Sequence, residues 1–258
     1  MMGFILFIGF ILGAIGGGGG LLILPVLVYF QDMQTDIAAP ISMSLVGVSA
    51  AITLASQKSS WKEWANKDLI TYAAGSLLMI YTTKWALGLL KLYVLQTNEW
   101  IQRWDHMLML LFIPVILLSA WNAWPREKPA SSTKHWNNLK GFAWGSLTGC
   151  LAGLFGAGGG FIIVPVLHQG AKFPIQKAIG ASLLIIAING TLGGLAPLVW
   201  NHQLNSSILL WMSLMAVGAV AGRFWSKKQQ TEMLKKSLAI LLTAVASAIF
   251  VKEIYTLI

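Results

Sequence analysis

The run Gly13-Ala14-Ile15-Gly16-Gly17-Gly18-Gly19-Gly20-Leu21-Leu22-Ile23-Leu24-Pro25-Val26-Leu27 breaks an otherwise apolar N-terminal segment. It returns 140 residues later as Gly153-Leu154-Phe155-Gly156-Ala157-Gly158-Gly159-Gly160-Phe161-Ile162-Ile163-Val164-Pro165-Val166-Leu167. Five of the six glycines between 13 and 20 recur, as do Pro25, Val26 and Leu27. Agreement at that density marks an internal duplication. Residues 1–124 make the first copy and 141–258 the second. The polar stretch 125–140 reads as a joining loop.

The two copies sit in a chain built for lipid. Hydrophobic residues are 56% of the 258 and charged residues 10%, against about 25% charged in a soluble domain. Runs such as Met107 to Trp124 and Leu234 to Val251 approach the ~20 residues that span a bilayer. Met1 to Ala14 has the length of a signal-peptide core but no Lys or Arg ahead of it. With its counterpart in mid-chain, it is read as part of the mature protein. The net charge of +9 does not indicate a nucleic-acid partner, because Lys and Arg cluster in short loops where they set orientation. Trp121 and Trp124, near a segment end, fit an interfacial aromatic belt.

Length argues that the glycine segments do not cross as plain helices. Gly3 to Phe30 and Gly141 to Gln169 would each run to roughly 42 Å as helix, against a ~30 Å hydrocarbon core. Glycine costs about 1 kcal/mol relative to Ala in a helix interior, so five adjacent Gly or Gly/Ala positions interrupt each segment. The pieces on either side, roughly 18 to 22 Å long, suit a re-entrant hairpin with its glycine tip inside the membrane. Loop charge supports this. If all segments cross, the 18 Lys and Arg divide ten to eight, with no bias. If the two glycine segments are hairpins, fourteen fall on one side and four on the other, as the positive-inside rule requires. Both termini then lie outside and the joining loop in the cytoplasm.

The doubled pattern G-x-x-G-x-G-G-G, four apolar residues, then Pro-x-Leu resembles the TauE/SafE family, the sulfite exporters or toluene sulfonate uptake permeases. The Gly218-x-x-x-Gly222-Arg223 segment is also similar, whereas in the first half Gly75 is followed four residues on by Met79. The stretch Lys84 to Asp105 is longer than the family's connection. The resemblance implies about eight apolar segments and a secondary transporter for a small sulfur-containing anion, such as sulfite or an organosulfonate, in the bacterial inner membrane. With eight segments of which two are hairpins, each half keeps three spans, an odd number, so the second half is inverted relative to the first. The expected fold is an all-α polytopic membrane protein of two inverted halves, each a glycine-broken re-entrant helix plus three transmembrane helices.

Unpaired backbone polar groups cost several kcal/mol each in hydrocarbon, so the broken segments must face protein or a water-filled cavity. A helix that starts after such a tip presents bare N–H groups and the positive end of its dipole, an anion-binding arrangement. The expected substrate site is therefore Gly16, Gly17, Gly18, Gly19 and Gly20 with Gly156, Gly158, Gly159 and Gly160. The plainer role for these glycines is close helix packing. Pro25 and Pro165 either kink the following helix or mark its start.

All nine acidic residues fall in loops or near segment ends. None is placed to hold a cation or relay protons at mid-membrane, which disfavours a cationic substrate. No basic residue is expected there either, with Lys84 at the outer end of its segment. Neutral donors must then help: Ser42, Ser44 and Thr53 are candidates in the second segment, and Ser182, Asn189 and Thr191 in the sixth. Asn189, beside Gly190 in a Leu- and Ile-rich run, is the best of them. Its alternative role is a helix-to-helix hydrogen bond, and Ser and Thr often bond their own backbone. Lys84 to Trp104 reads as an amphipathic helix lying on the outer surface.

The four histidines lie near segment ends without metal-ligand spacing, and the single Cys150 excludes an internal disulfide. Neither glycine run is followed by Lys-Ser/Thr, and no Rossmann context exists. No Ser/His pair or paired carboxylate suggests an enzyme. No cofactor and no metal are expected. The expected partners are the small anion, membrane lipid and, as an open possibility, further copies of the chain. A small-anion channel with the same fold is the alternative reading.

Overall fold

The structure is a computed structural model that describes residues 1–15, 18–56, 67–93, 98–124, 138–156, 158–170, 173–200, 202–226 and 231–257. Gly16, Gly17, residues 125–137 of the joining loop and Lys172 lie outside the described residues. The first half comprises α1 (Met2–Ile15), a 3-10 turn (Gly18–Leu22), α2 (Ile23–Phe30), α3 (Thr35–Ala55), α4 (Lys67–Tyr93) and α5 (Asn98–Ala123). The second comprises α6 (Asn138–Phe155), α7 (Gly160–Pro165), a π-helical turn (Val166–Gly170) and α8 (Ile175–Ile188). A second π turn (Asn189–Leu195), α9 (Ala196–Trp200), α10 (Ser206–Ser226) and α11 (Thr231–Leu257) complete it.

Six helical segments among the described residues are long and apolar enough to cross a membrane: Thr35–Ala55, Asp68–Leu92, Trp104–Asn122, Lys177–Val199, Ser206–Ser226 and Lys236–Tyr255. Their outward faces carry Leu78, Leu118, Val217, Ile240 and Phe250, while Ser42, Ser49, Thr53, Ser76 and Asn189 are buried. Water would reward the opposite arrangement. The chain is a multi-pass membrane protein.

Both glycine segments turn back on themselves. A Cβ built on Gly19 would lie 2.7 Å from the Leu12 amide nitrogen and 2.9 Å from the Ile8 carbonyl oxygen. The Phe4 and Phe30 rings, at opposite ends of the segment, have centroids 5.4 Å apart; a continuous helix would separate these residues by roughly 39 Å. In the second copy a Cβ on Gly159 would meet the Thr148 carbonyl oxygen at 3.6 Å and the Ala152 Cβ at 3.7 Å. Gly159 and its two neighbours stand 140 residues from Gly19, Leu12 and Ile8. The turn is made by Gly156, Gly158 and Gly159, whose φ angles of 63°, 66° and 76° lie in the left-handed region that only glycine enters at no steric cost.

The repeated prolines differ in place. Pro25 falls in the first turn of α2, where its missing N–H is no loss. Pro165 ends α7 and hands over to the π turn, since it cannot supply the next helical hydrogen bond.

Helix pairing crosses between the halves. α1 packs on α10 and α6 on α4, while α3 packs on α8 and α5 on α11. The first two pairs are glycine-seamed: a Cβ on Gly13 would overlap the Ala219 carbonyl, and one on Gly149 the Ser76 carbonyl. Such seams let backbones touch where lipid provides no hydrophobic driving force.

One expectation fails here. Lys84 to Trp104 is not a separate surface helix. Lys84–Tyr93 are the last turns of α4, Asn98–Trp104 the first turns of α5, and residues 94–97 lie outside the described residues. Lys91 pairs with Asp36, which holds the end of α4 against the start of α3 rather than against a membrane surface.

Candidate functional site

The segments that follow the two breaks meet: α7 touches the 3-10 turn Gly18–Leu22. Gly19 and Gly20 are buried, as are Gly156, Gly158, Gly159 and Gly160. The second break is wedged between α3 and α8. A Cβ on Gly156 would overlap the Ala39 carbonyl, and one on Gly158 would lie 3.2 Å from both Val46 Cγ1 and Ile186 Cγ2. At the residue after Val46, α3 crosses the second π turn where Gly47 meets Gly190. π turns inside helices often mark functional sites, and this one opens at Asn189.

The side-chain candidates separate into two groups. Ser44 Oγ donates to the Pro40 carbonyl at 2.7 Å, and Ser182 Oγ to Ile179 at 2.8 Å. Thr53 and Thr191 likewise bond carbonyls of their own helices. These hydroxyls retain an acceptor face and spend their proton locally. Asn189 reaches across the bundle: its Nδ2 donates to Ser76 Oγ at 2.7 Å, and its Oδ1 is buried without a hydrogen-bond partner. Ser42 Oγ and Thr83 Oγ1 are also buried and unpartnered. An unsatisfied buried polar atom costs about 1–3 kcal/mol, and native proteins keep few. Three of them on α3, α4 and the π turn mark a polar interior beside the second break.

Lys84 corrects the expectation that no basic residue lies inside. It sits roughly two and a half turns before the end of α4 and its Nζ donates to the Gly193 carbonyl in the π turn. The helix face that carries Thr83 and Lys84 is turned inward because Thr83 packs on Gly153 at the end of α6. Lys84 lines a cavity of about 290 Å³ with Thr35, Asp36, Pro40, Asp105, Gly153 and Pro197, among others. The two carboxylates on this cavity have donors of their own. Asp36 pairs with Lys91, and Asp105 accepts from the Thr35 hydroxyl and amide. The partner of Lys84 is a neutral carbonyl.

Sequence reasoning named Asn189, Ser42 and the glycines. It missed Ser76, Thr83 and Lys84. Only the bare presence of a lysine within a candidate span hinted at the last.

Among the described residues no group of three or more His, Cys, Asp or Glu is disposed to hold a metal ion. No solved structure matches the chain. It is 30% identical over 204 residues to a probable membrane transporter protein of Xylella fastidiosa, covering 76% of this chain and 72% of the relative. The probable membrane transporter protein YunE of Bacillus subtilis is 22% identical over 279 residues, 96% of this chain and 97% of that one. The family model described as sulfite exporter TauE/SafE matches residues 1–249. With multi-pass helices, a doubled glycine break and this match along nearly its whole length, the chain belongs to the TauE/SafE family of membrane transporters.

Proposed function

We propose that the chain is a secondary transporter of a small anion, such as sulfite or an organosulfonate, held where the second glycine break, the Asn189–Leu195 π turn and Lys84 converge. The carrying observation is Lys84: a cation within a membrane-spanning helix whose partner is a carbonyl, not a carboxylate. An intramembrane ionisable residue is by default a functional group with a partner to be named, and an anion supplies that partner. The three unpartnered polar atoms of Ser42, Thr83 and Asn189 supply neutral contacts beside it. Glycine at the break lets a ligand approach the main-chain amides closely.

The exchanged helix pairing supports an inverted repeat. Under a two-fold operation that swaps the halves, α1 on α10 becomes α6 on α4, while α3 with α8 and α5 with α11 map onto themselves. The fold-back of both glycine segments supports re-entrant hairpins in each half, with three spans apiece. In this reading residues 1–124 and 141–258 rock against each other around the site, as alternating access requires. The termini lie outside a bacterial inner membrane and residues 125–140 inside. The sulfur chemistry of the substrate rests on the family alone. The reading assigns no chemical step to any residue and requires no cofactor.

The test is flux in proteoliposomes with sulfite, thiosulfate, sulfate and methanesulfonate. Saturable movement that can be driven uphill is expected for at least one. Non-saturable downhill flux would make the protein a channel, and no movement or binding of any of the four would end the sulfur-anion reading.

A further inference from the structure

The face of the bundle that carries Phe4, Phe30 and the start of α5 holds a second polar cluster, whose cavity shares Asp105 with the one that Lys84 lines. Glu253 lies near the end of α11, as its sequence position suggested, yet its side chain is only 3% exposed. Tyr29 Oη donates to its Oε1, and His106 Nδ1 lies 2.6 Å from its Oε2. The three residues come from three elements: the returning limb of the first glycine hairpin, α5 and α11. His106, 34% exposed, lines a cavity of about 500 Å³ together with Tyr29 and Glu253. The other charged groups on that cavity are Asp32 after the hairpin, Asp105 on α5 and Lys252 on α11. Asp105 is taken by Thr35, and the Lys252 ammonium sits 4.3 Å from the centre of the Tyr29 ring.

We infer that Glu253, His106 and Tyr29 form a proton-binding site whose occupancy controls how firmly the first glycine hairpin is tied to α11. Both carboxylate oxygens already face protein donors, so a metal cation would have to displace Tyr29 or His106, whereas a proton adds without displacing either. All three residues line the cavity, which gives a proton a path to the carboxylate.

Where the added proton rests sets the direction in which the tether changes. Hydrogen bonds to an ionised acceptor are roughly twice as strong as neutral ones. When the proton rests on Glu253, the Tyr29 bond becomes a neutral one and the hairpin's returning limb is held less tightly. When the proton rests on His106, the ion pair holds all three elements. The site therefore couples proton uptake to the position of a segment whose tip meets the second break. That use of the proton in transport rests on the transporter reading above; the proton-binding step stands on its own geometry.

Two measurements separate these layers. The first needs no substrate: infrared difference spectra of the reconstituted protein between about pH 8 and about pH 5. Wild type should show a carboxylate-to-carboxyl or imidazole change that Glu253→Gln removes and Tyr29→Phe shifts. An identical difference spectrum in all three overturns the proton site, whatever the protein transports. Tyr29→Phe carries this arm if Glu253→Gln does not insert. The second is methanesulfonate accumulation driven by a pH gradient, a probe whose charge does not change with pH. Glu253→Gln should lose gradient-driven accumulation, falling to the gradient-free control, while downhill exchange remains. If wild type moves methanesulfonate indifferently to the gradient, the coupling is overturned and the transporter stands. If methanesulfonate does not move, another substrate from the proteoliposome panel takes its place, and the spectra still decide the site.

Discussion

Replacing Lys84 by Met is the sharpest perturbation of the anion site. Methionine keeps a flexible apolar stem, so the surroundings of the side chain change little, and only the charge and its N–H donors are lost. Two effects follow from the geometry. The Gly193 carbonyl loses its donor, which costs about 1–3 kcal/mol of stability. A bound anion loses its cation. At 4 Å and an effective dielectric near 20 the bare attraction is ~4 kcal/mol, and desolvation removes part of it. Hydrogen bonds to charged groups retain about 1.5–3 kcal/mol net, which converts to a roughly 10- to 150-fold rise in the half-saturation concentration. The assay is initial sulfite uptake into proteoliposomes against concentration, with thermal stability of the purified protein alongside. Lys84→Arg should keep most of the affinity. A Lys84→Met protein that melts earlier but shows the same half-saturation as wild type would refute the reasoning, because Lys84 would then only pin the π turn.

Two further predictions concern the glycine hairpins. Cysteines placed at Phe4 and Phe30 in a Cys150→Ser background should cross-link within one chain, since the ring centroids are 5.4 Å apart; a straight segment would leave them unlinked. Gly158→Val should insert normally and lose transport more than about tenfold. A β-branched residue at φ 66° is a steric outlier costing about 1–2 kcal/mol or more, and its Cβ would press on Val46 and Ile186 at 3.2 Å. Wild-type flux in that variant would remove the second break from the mechanism.

Much of the architecture was legible because it rests on local chemistry. A run of glycines breaks a helix wherever it occurs, and twenty apolar residues seek lipid whatever surrounds them. The 140-residue offset showed the doubled glycine run without any coordinates, and six long apolar helices stand among the described residues. The side chains of the site were less legible. Ser44 and Ser182 looked like donors for a ligand, yet both spend their hydroxyls on their own helices. Asn189 was singled out as the lone amide in an apolar run, and its Oδ1 is indeed unsatisfied. Its partner Ser76, on α4, carried no signal of its own.

What remained hidden was decided by helix rotation and long-range packing. α4 has almost no amphipathic bias, so its composition could not say which way Lys84 points. The glycine-lined contact with α6 fixes that rotation and turns Lys84 toward Gly193, 109 positions away in the chain. Glu253 could be placed near a helix end from sequence, but not inside the protein. Only the packing of α5 on α11 and the approach of α2 to α11 bring His106 and Tyr29 to its two oxygens. Hydropathy sums over short windows, and contacts of this kind depend on how separate helices meet. The glycine breaks and the membrane-embedded class thus belong to the sequence alone, while the inward cation and the buried carboxylate belong to the tertiary structure.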